Sequence, residues 1–262
     1  MFINQREDAE KDAFLKLSAN LAISEALWRF LEFKEISLAV PQMEAPLLDL
    51  GCGNGQFSYA LFQKIKAGVD SNAELLKAAR NLNVYDILLA ADARDLPFPN
   101  NSFKTVFCNC TLEHINNPEK CIAEVNRVLD KKGKFIMTVP SEFFNDMLLF
   151  HSKWYANMRN RHLSHINLFT LETWENLLDN SGFNVAQTLL YAPLGFMKLW
   201  DCLDIGYRTR VPYTASLWGL LLRRKAILSL LYRKLSGESS DFPESQKKIK
   251  KGGGRLFIAE KR

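Results

Sequence analysis

The stretch LLDLGCGNGQFSYAL, residues 47–61, has the residue types and spacing of a ligand-binding turn. Asp49 is followed by glycine at every second position, namely Gly51, Gly53 and Gly55. Glycine has no side chain, so a ligand can lie directly against the backbone at these positions. Apolar residues before the turn predict a strand and those after it predict a helix, whose first N–H groups and positive end face the ligand. We therefore expect a ligand to bind at this turn.

Two classes of ligand bind such a turn at the start of an α/β sheet, dinucleotides and S-adenosylmethionine. The dinucleotide fingerprint is G-x-G-x-x-G/A. Read from Gly51, its last position falls on Gln56, which is neither glycine nor alanine. The spacing that is present is instead D-x-G-x-G-x-G, with Asp49 leading.

The elements around the turn predict a parallel sheet. Short apolar runs (PLLDLG, KAGVD, YDILLAAD, SFKTVFCNC and GKFIMTVPS) are separated mainly by helical patterns. FNVAQTLLYA and the C-terminal RLFIAEKR are a predicted sixth and seventh strand, and Thr170 and Gly182 are the predicted cap and stop of the helix that precedes the sixth strand. Such alternation is typical of a doubly wound, seven-stranded, mostly parallel α/β sheet of Rossmann-like type.

Three parts of the chain are predicted around this sheet. Residues 1–44 form an N-terminal helical cap, and residues 45–192 with 253–262 form the core. Residues 193–252 are an insertion before the last strand, with apolar and basic residues side by side. The segment 192–255 has 13 Lys and Arg against 5 Asp and Glu, whereas the whole chain has a net charge of +5. The insertion is a substrate lid, a membrane-surface element or a homodimer contact.

The ordered motifs resemble those of the class I S-adenosylmethionine-dependent methyltransferases, in the broad group with small-molecule and lipid-quinone enzymes. LLDLGCGNG, AGVDSN, AADARDLPFPNNSFKTVFCNCTLEHI and VLDKKGKFIMTVPS are similar to successive family motifs. The similarity covers roughly residues 45–192 and the final strand. It implies methyl transfer from S-adenosyl-L-methionine, with S-adenosyl-L-homocysteine as the product and no metal.

The resemblance also implies the residues that bind the cofactor, at the carboxyl ends of strands. A carboxylate at Asp70 accepts hydrogen bonds from both ribose hydroxyls. Asp92 and the Ala93 N–H contact adenine. Asp49 and Asn109 both lie near the ammonium group of the methionine portion. The expected set is Asp49, Gly51, Cys52, Gly53, Gly55, Asp70, Ser71, Asp92, Ala93 and Asn109. Structural alternatives are a helix N-cap at Asp70, a turn at Asp92 and capping of backbone N–H groups by Asp49.

Two histidines are candidate catalytic residues, His114 and His165. The methyl donor is already electrophilic, so the reaction needs an aligned nucleophile and exclusion of water, and a general base is optional. His114 follows the fourth strand, and His165 lies in a segment that can fold over the cofactor. Each is a base or a substrate contact, with a capping or surface role as the alternative.

The chain lacks certain motifs, and their absence narrows the class of molecule that accepts the methyl group. After the fourth strand it has NCTL instead of the Asn/Asp-Pro-Pro-aromatic run of enzymes that methylate base amines, and no cysteine follows a proline. We expect an oxygen, or alternatively a nitrogen or carbon, of a small organic or lipid-like acceptor, and no nucleic acid. A non-catalytic S-adenosylmethionine-binding module and an RNA methyltransferase remain alternatives.

The five cysteines include no C-x-x-C pair, and the charged N-terminus has no apolar signal segment. Both features favour a cytoplasmic protein, with peripheral contact to a membrane surface as an alternative.

Overall fold

The computed structural model describes residues 2–208 and 249–262 of the chain, which form one sheet of seven strands and eight α-helices. The strands are β1 (Leu47–Leu50), β2 (Ile65–Asp70), β3 (Tyr85–Ala90), β4 (Phe103–Asn109), β5 (Leu129–Pro140), β6 (Phe183–Tyr191) and β7 (Gly254–Lys261). The helices are α1 (Phe2–Asn20), α2 (Ile23–Ser37), α3 (Gln56–Leu61), α4 (Ala73–Arg80), α5 (Pro118–Val128), α6 (Lys153–Leu163), α7 (Leu171–Asn180) and α8 (Leu194–Arg208).

The strand order in the sheet is β3-β2-β1-β4-β5-β7-β6. The strands from β3 to β5 run parallel, and β7 is antiparallel to both β5 and β6. This architecture confirms the predicted α/β fold with a seven-stranded, mostly parallel sheet. The chain runs from β1 to one edge and returns to β4 on the other side of β1. The loops that follow β1 and β4 therefore diverge, which opens a crevice at the carboxyl ends of the strands.

The core lies in two layers, one on each face of the sheet. Neighbouring residues of β4 alternate between them, because side chains of a strand point to opposite faces. Val106 belongs to the layer that also contains Ile122 of α5 and Trp174 of α7. Phe107 belongs to the other layer, which contains Phe30 of α2 and residues of α8. The N-terminal helices and α8 thus cover the same face of the sheet.

The residues that begin and end α7 are those that the sequence predicts. The side chain of Thr170 accepts a hydrogen bond from the backbone N–H of Thr173 at 3.2 Å, which caps the start of the helix. Gly182 follows the end of the helix with φ 85°, a conformation that glycine adopts without strain. The predicted cap and stop of this helix are confirmed.

The described start of the predicted insertion is α8, which packs on α2. The rings of Trp28 and Trp200 lie 4.9 Å apart, and those of Trp28 and Phe196 lie 6.1 Å apart. Residues 209–248, which hold most of the predicted insertion, lie outside the described residues. None of the helices in the described ranges is long and apolar enough to cross a membrane.

Candidate functional site

The glycine turn after β1 keeps its backbone close to neighbouring groups. Gly51, with φ 77°, lies so close to the side chain of Thr111 that a Cβ atom would overlap with it. Gly53, with φ 53°, donates its backbone N–H to Oδ2 of Asp70 at 2.8 Å. The turn is therefore fixed to β2 by a hydrogen bond and leaves room at the end of β1.

A first cavity, the strand-end cavity, lies at the ends of β1 to β4 and has a volume of about 370 Å³. Five of the predicted cofactor residues line it, together with Arg94: Gly51, Asp70, Ser71, Asp92 and Ala93. The predicted residues at the ends of β1, β2 and β3 are thus brought together as expected from a parallel sheet.

The two carboxylates of the strand-end cavity have different partners. Asp70 accepts backbone N–H groups from Gly53 and Asn72, each at 2.8 Å. The N-cap of α4 is Asn72, so Asp70 does not have the capping role that was its structural alternative. Hydrogen bonds from Arg94 lower the pKa of Asp92 to about 2. The sequence did not predict this contact. Arg94 donates hydrogen bonds to both carboxylate oxygens of Asp92.

A second cavity, the glycine-loop cavity, has a volume of about 360 Å³ and lies between the glycine turn and α2. Asp49 lines it, and its Oδ2 accepts hydrogen bonds from the hydroxyls of Ser58 and Tyr85, each at 2.6 Å. Burial raises the pKa of Asp49 to about 6, although these two hydrogen bonds oppose the shift. Cys52 and Asn109 line the same cavity.

A buried carboxylate of α2 connects the helix to the end of β4. Glu32 accepts hydrogen bonds from Asn109 Nδ2 at 2.9 Å and from Cys110 Sγ at 2.8 Å. It also accepts from Trp28 Nε1 at 2.6 Å and from Arg29 Nη1 at 2.8 Å. The side-chain amide of Asn109 is thus held by Glu32, and any contact of Asn109 with a ligand is left mainly to its backbone carbonyl.

A third cavity, the aromatic cavity, has a volume of about 350 Å³ and lies between α2, α6 and α8. Trp28, Phe144 and Trp200 form its apolar wall, with ring centroids 4.9 to 6.2 Å apart. Its polar lining includes both predicted histidines, His114 and His165. It suits an apolar or aromatic body that carries a polar group.

The polar side of the aromatic cavity is a cluster of Glu113, His114 and His165. The His114 and His165 rings lie 5.5 Å apart, and His114 Nδ1 lies 2.9 Å from the carbonyl oxygen of Ser164. Glu113 Oε2 and His165 Nδ1 are buried and find no hydrogen-bond partner among the described residues. Unpaired buried polar atoms are unfavourable, so the cluster favours a ligand with a polar group that forms hydrogen bonds with them.

Burial affects the acid and the histidines of this cluster in opposite directions, because it disfavours the charged form of each. It raises the pKa of Glu113 to about 8. Together with the nearby His114, it lowers the pKa of His165 to about 3. Burial also lowers the pKa of His114. Both histidines are consequently weak bases near neutral pH, whereas Glu113 is a stronger one.

Buried ion pairs hold α8 over the aromatic cavity. Arg159 of α6 donates to Asp201 at 2.6 Å and to Asp204 at 2.7 Å, and all three side chains are at most 5% exposed. Tyr155 also donates its hydroxyl to Asp201, at 2.8 Å. The helix that follows β6 is therefore fixed to α6 by charge as well as by apolar packing.

The three cavities adjoin each other. Cys110 and His114 line both the strand-end and aromatic cavities, and Gly51 lines both the strand-end and glycine-loop cavities. Glu25 and Arg29 of α2 line both the aromatic and glycine-loop cavities. A ligand of the first two cavities would thus lie beside a second molecule in the aromatic cavity.

A family model described as a methyltransferase domain matches residues 48–137, which include the glycine turn and the ends of β2 to β4. An uncharacterized protein of Methanocaldococcus jannaschii, MJ0638, is 33% identical over 162 residues, which are 57% of this chain and 67% of that protein. The chain belongs to the class I S-adenosylmethionine-dependent methyltransferases.

The curated relatives of this methyltransferase include proteins named as an O-methyltransferase and as C-methyltransferases. The malonyl-[acyl-carrier protein] O-methyltransferase of Alcanivorax borkumensis is 33% identical over 148 residues, 53% of this chain and 49% of that enzyme. The chain spans about half the length of most curated relatives it matches. A solved structure from Thermotoga maritima, described as a possible histamine N-methyltransferase, has a TM-score of 0.58 at 16% identity and covers 100% of this chain and 96% of its own. That likeness shows the fold.

S-adenosylmethionine is the cofactor of this methyltransferase family, and the cavities fit it. Asp70 uses two acceptor positions on backbone N–H groups, and a carboxylate has about four, so two remain for ribose hydroxyls. At Gly53 a Cβ atom would meet only Asp70, at 4.0 Å, so the backbone beside the cavity is uncrowded. Ligand atoms of Glu113, His114 and His165 lie within 4.8 Å of one another, but methyl transfer in this family needs no metal.

Four functional candidates were missed by the sequence analysis: Arg29, Glu32, Tyr85 and Glu113. The signal for Glu113 was available, since it directly precedes His114 after a predicted strand. The other three are brought to the site by packing between distant segments.

Proposed function

We propose that the protein transfers a methyl group from S-adenosylmethionine to an oxygen of a small organic or lipid-like acceptor, with nitrogen and carbon as alternative acceptor atoms. The observation that carries this proposal is the aromatic cavity, which shares Cys110 and His114 with the strand-end cavity. Its aromatic wall suits an apolar body, and its unpaired polar atoms suit a hydroxyl or amine.

The predicted cofactor residues keep their proposed roles. Asp70 accepts the ribose hydroxyls, and Asp92 accepts the adenine amino group while sharing its carboxylate with Arg94. Asp49 attracts the ammonium group, directly or through water. When bound, S-adenosylmethionine supplies a methyl group on a positively charged sulfur and leaves as S-adenosylhomocysteine.

Glu113 is the proposed proton acceptor. Its carboxylate has an unpaired Oε2 in the wall of the aromatic cavity, and it takes the proton of the acceptor hydroxyl as that oxygen becomes methylated. His114 and His165 then serve as substrate contacts, because burial makes them weaker bases than Glu113.

Water exclusion is the proposed role of α8, the described start of the insertion 193–252. Trp200 and Asp204 of this helix line the aromatic cavity, and Arg159 holds the helix in place. A cavity closed in this way would keep water from the reacting atoms. The membrane-surface and homodimer alternatives rest mainly on residues 209–248, outside the described ranges.

Affinity for S-adenosylhomocysteine, which has the same amino acid portion, is expected to rise with pH up to about 6 and then level off. The ionised carboxylate of Asp49 attracts the ammonium group, whereas burial keeps this carboxyl protonated below about pH 6. The rise is at most about tenfold per pH unit. Calorimetry between pH 5 and 8 measures it, and Asp49→Asn should remove it. A wild-type curve that is flat over this range would contradict the role of Asp49.

Labelling identifies the acceptor. The protein is incubated with S-adenosylmethionine carrying an isotopically labelled methyl group and with metabolite and lipid extracts, and labelled products are detected by mass spectrometry. The expected result is a labelled small molecule or lipid. Label found only on added RNA would support an RNA methyltransferase instead. Binding of the cofactor without any labelled product would support a non-catalytic binding module.

A further inference from the structure

The glycine-loop cavity contains groups of opposite charge. Asp49 is the next-to-last residue of β1, and Arg29 reaches the cavity from α2. Their charges interact, because Arg29 acts to lower the pKa of Asp49 against the effect of burial. A negative and a positive side chain in the wall of one cavity suit a zwitterionic ligand such as an amino acid group.

Arg29 has hydrogen-bond donors that are not in use. A guanidinium has five N–H donors, and Nη1 donates to Glu32 Oε2 at 2.8 Å. No other acceptor for Arg29 occurs in the described ranges 2–208 and 249–262. Its side chain is 24% exposed while lining the glycine-loop and aromatic cavities, so the remaining donors are open to them.

Glu32 holds Arg29 in position, and other side chains in turn hold Glu32. Glu32 is fully buried and accepts hydrogen bonds from Asn109, Cys110 and Tyr191 in addition to Arg29. Burial acts to lower the pKa of Arg29, but the combined attraction to neighbouring groups, of which Glu32 is the strongest, raises this pKa, so the guanidinium stays charged. Glu25 is the other acid of α2 at this cavity, but it is exposed, and solvent screens its charge.

We propose that Arg29 binds the carboxylate of the amino acid portion of S-adenosylmethionine, opposite Asp49, which attracts the ammonium group. The inference rests on the proposed function. A guanidinium presents paired N–H groups in the geometry that a carboxylate accepts, which makes such contacts strong and directional. Helix α2 then belongs to the cofactor site as well as to the wall of the aromatic cavity.

The test compares two ligands that differ in the amino acid portion. S-adenosylhomocysteine has it, whereas 5′-methylthioadenosine keeps the adenosine and a thioether but lacks the amino and carboxylate groups. Calorimetry of Arg29→Gln should show a 10- to 100-fold loss of affinity for S-adenosylhomocysteine and less than a twofold change for 5′-methylthioadenosine. Arg29→Lys, which keeps the charge and loses the fork, should show an intermediate loss.

Two further variants keep the result interpretable. Arg29→Gln leaves the buried Glu32 without its cation, so the double variant Arg29→Gln/Glu32→Gln, which removes both charges, should show the same selective loss in a folded protein. Arg80→Gln, an exposed arginine of α4, is the matched control and should bind both ligands as the wild type does.

The outcomes separate this inference from the proposed function. Equal losses for the two ligands, or none for either, would overturn the role of Arg29 while leaving the methyltransferase site intact. A wild-type protein that binds neither ligand would overturn the proposed function, and the inference with it.

Discussion

Glu113→Gln is expected to lower kcat for methyl transfer by about 10²- to 10⁴-fold, the usual contribution of a general base. The glutamine keeps the shape of the side chain but cannot take the proton of the acceptor hydroxyl. Cofactor affinity should not change, because Glu113 lines the aromatic cavity and not the two cavities assigned to the cofactor. Steady-state kinetics with the acceptor found by labelling, together with calorimetry, measure both quantities.

The pH profile distinguishes proton transfer from a purely structural role. Burial raises the pKa of Glu113 to about 8, and only the ionised form can act as a base. The wild-type kcat/KM should therefore rise with pH up to about 8 and then level off, and Glu113→Gln should lack this rise. Glu119→Gln, an exposed acid at the start of α5, is the matched control. A variant at Glu113 that keeps wild-type kcat would remove this residue from the mechanism.

The cofactor side of the site could be predicted because it depends on local patterns. Asp49, Asp70 and Asp92 each end or follow a short apolar run, and parallel strands bring such positions to one edge of a sheet. The strand-end cavity contains Asp70 and Asp92 as expected, while Asp49 lies in the adjoining glycine-loop cavity. The alternation of strands and helices predicted a seven-stranded, mostly parallel sheet, whereas the strand order and the antiparallel pairing of β7 come from the structure.

The residues that distant segments bring to the site could not be predicted in the same way. Arg29 and Glu32 lie in a helix whose apolar periodicity indicates a buried face, but not the strand end on which this face packs. Glu32 meets Asn109 from 77 positions away in the chain, and Trp28 meets Trp200 across an even longer separation. Such contacts have no local signal. Tyr85 was missed for the same reason, since its reach to Asp49 depends on the packing of β3 beside the glycine turn.

Asp70→Ala is expected to weaken binding of S-adenosylhomocysteine by about 1–3 kcal/mol, the cost of losing a partner for buried polar groups. The loss should extend equally to 5′-methylthioadenosine, since both ligands contain the ribose. In this respect the variant differs from Arg29→Gln, which should affect only the ligand with the amino acid portion. Asp86→Ala, at a partly exposed acid of β3, is the matched control and should leave both affinities unchanged.

A deoxy ligand separates the two functions of Asp70, which binds the Gly53 N–H as well as the proposed ribose. The wild type should bind 5′-methylthioadenosine more tightly than its 2′-deoxy analogue, because the analogue lacks one of the two hydroxyls that donate to the carboxylate of Asp70. In Asp70→Ala this preference should disappear, even if a loosened glycine turn weakens both ligands. A preference that persists in the variant would assign the ribose to another acceptor and leave Asp70 only the role of holding the turn. Since the turn itself borders the cofactor cavities, the deoxy comparison is more decisive than the loss of affinity alone.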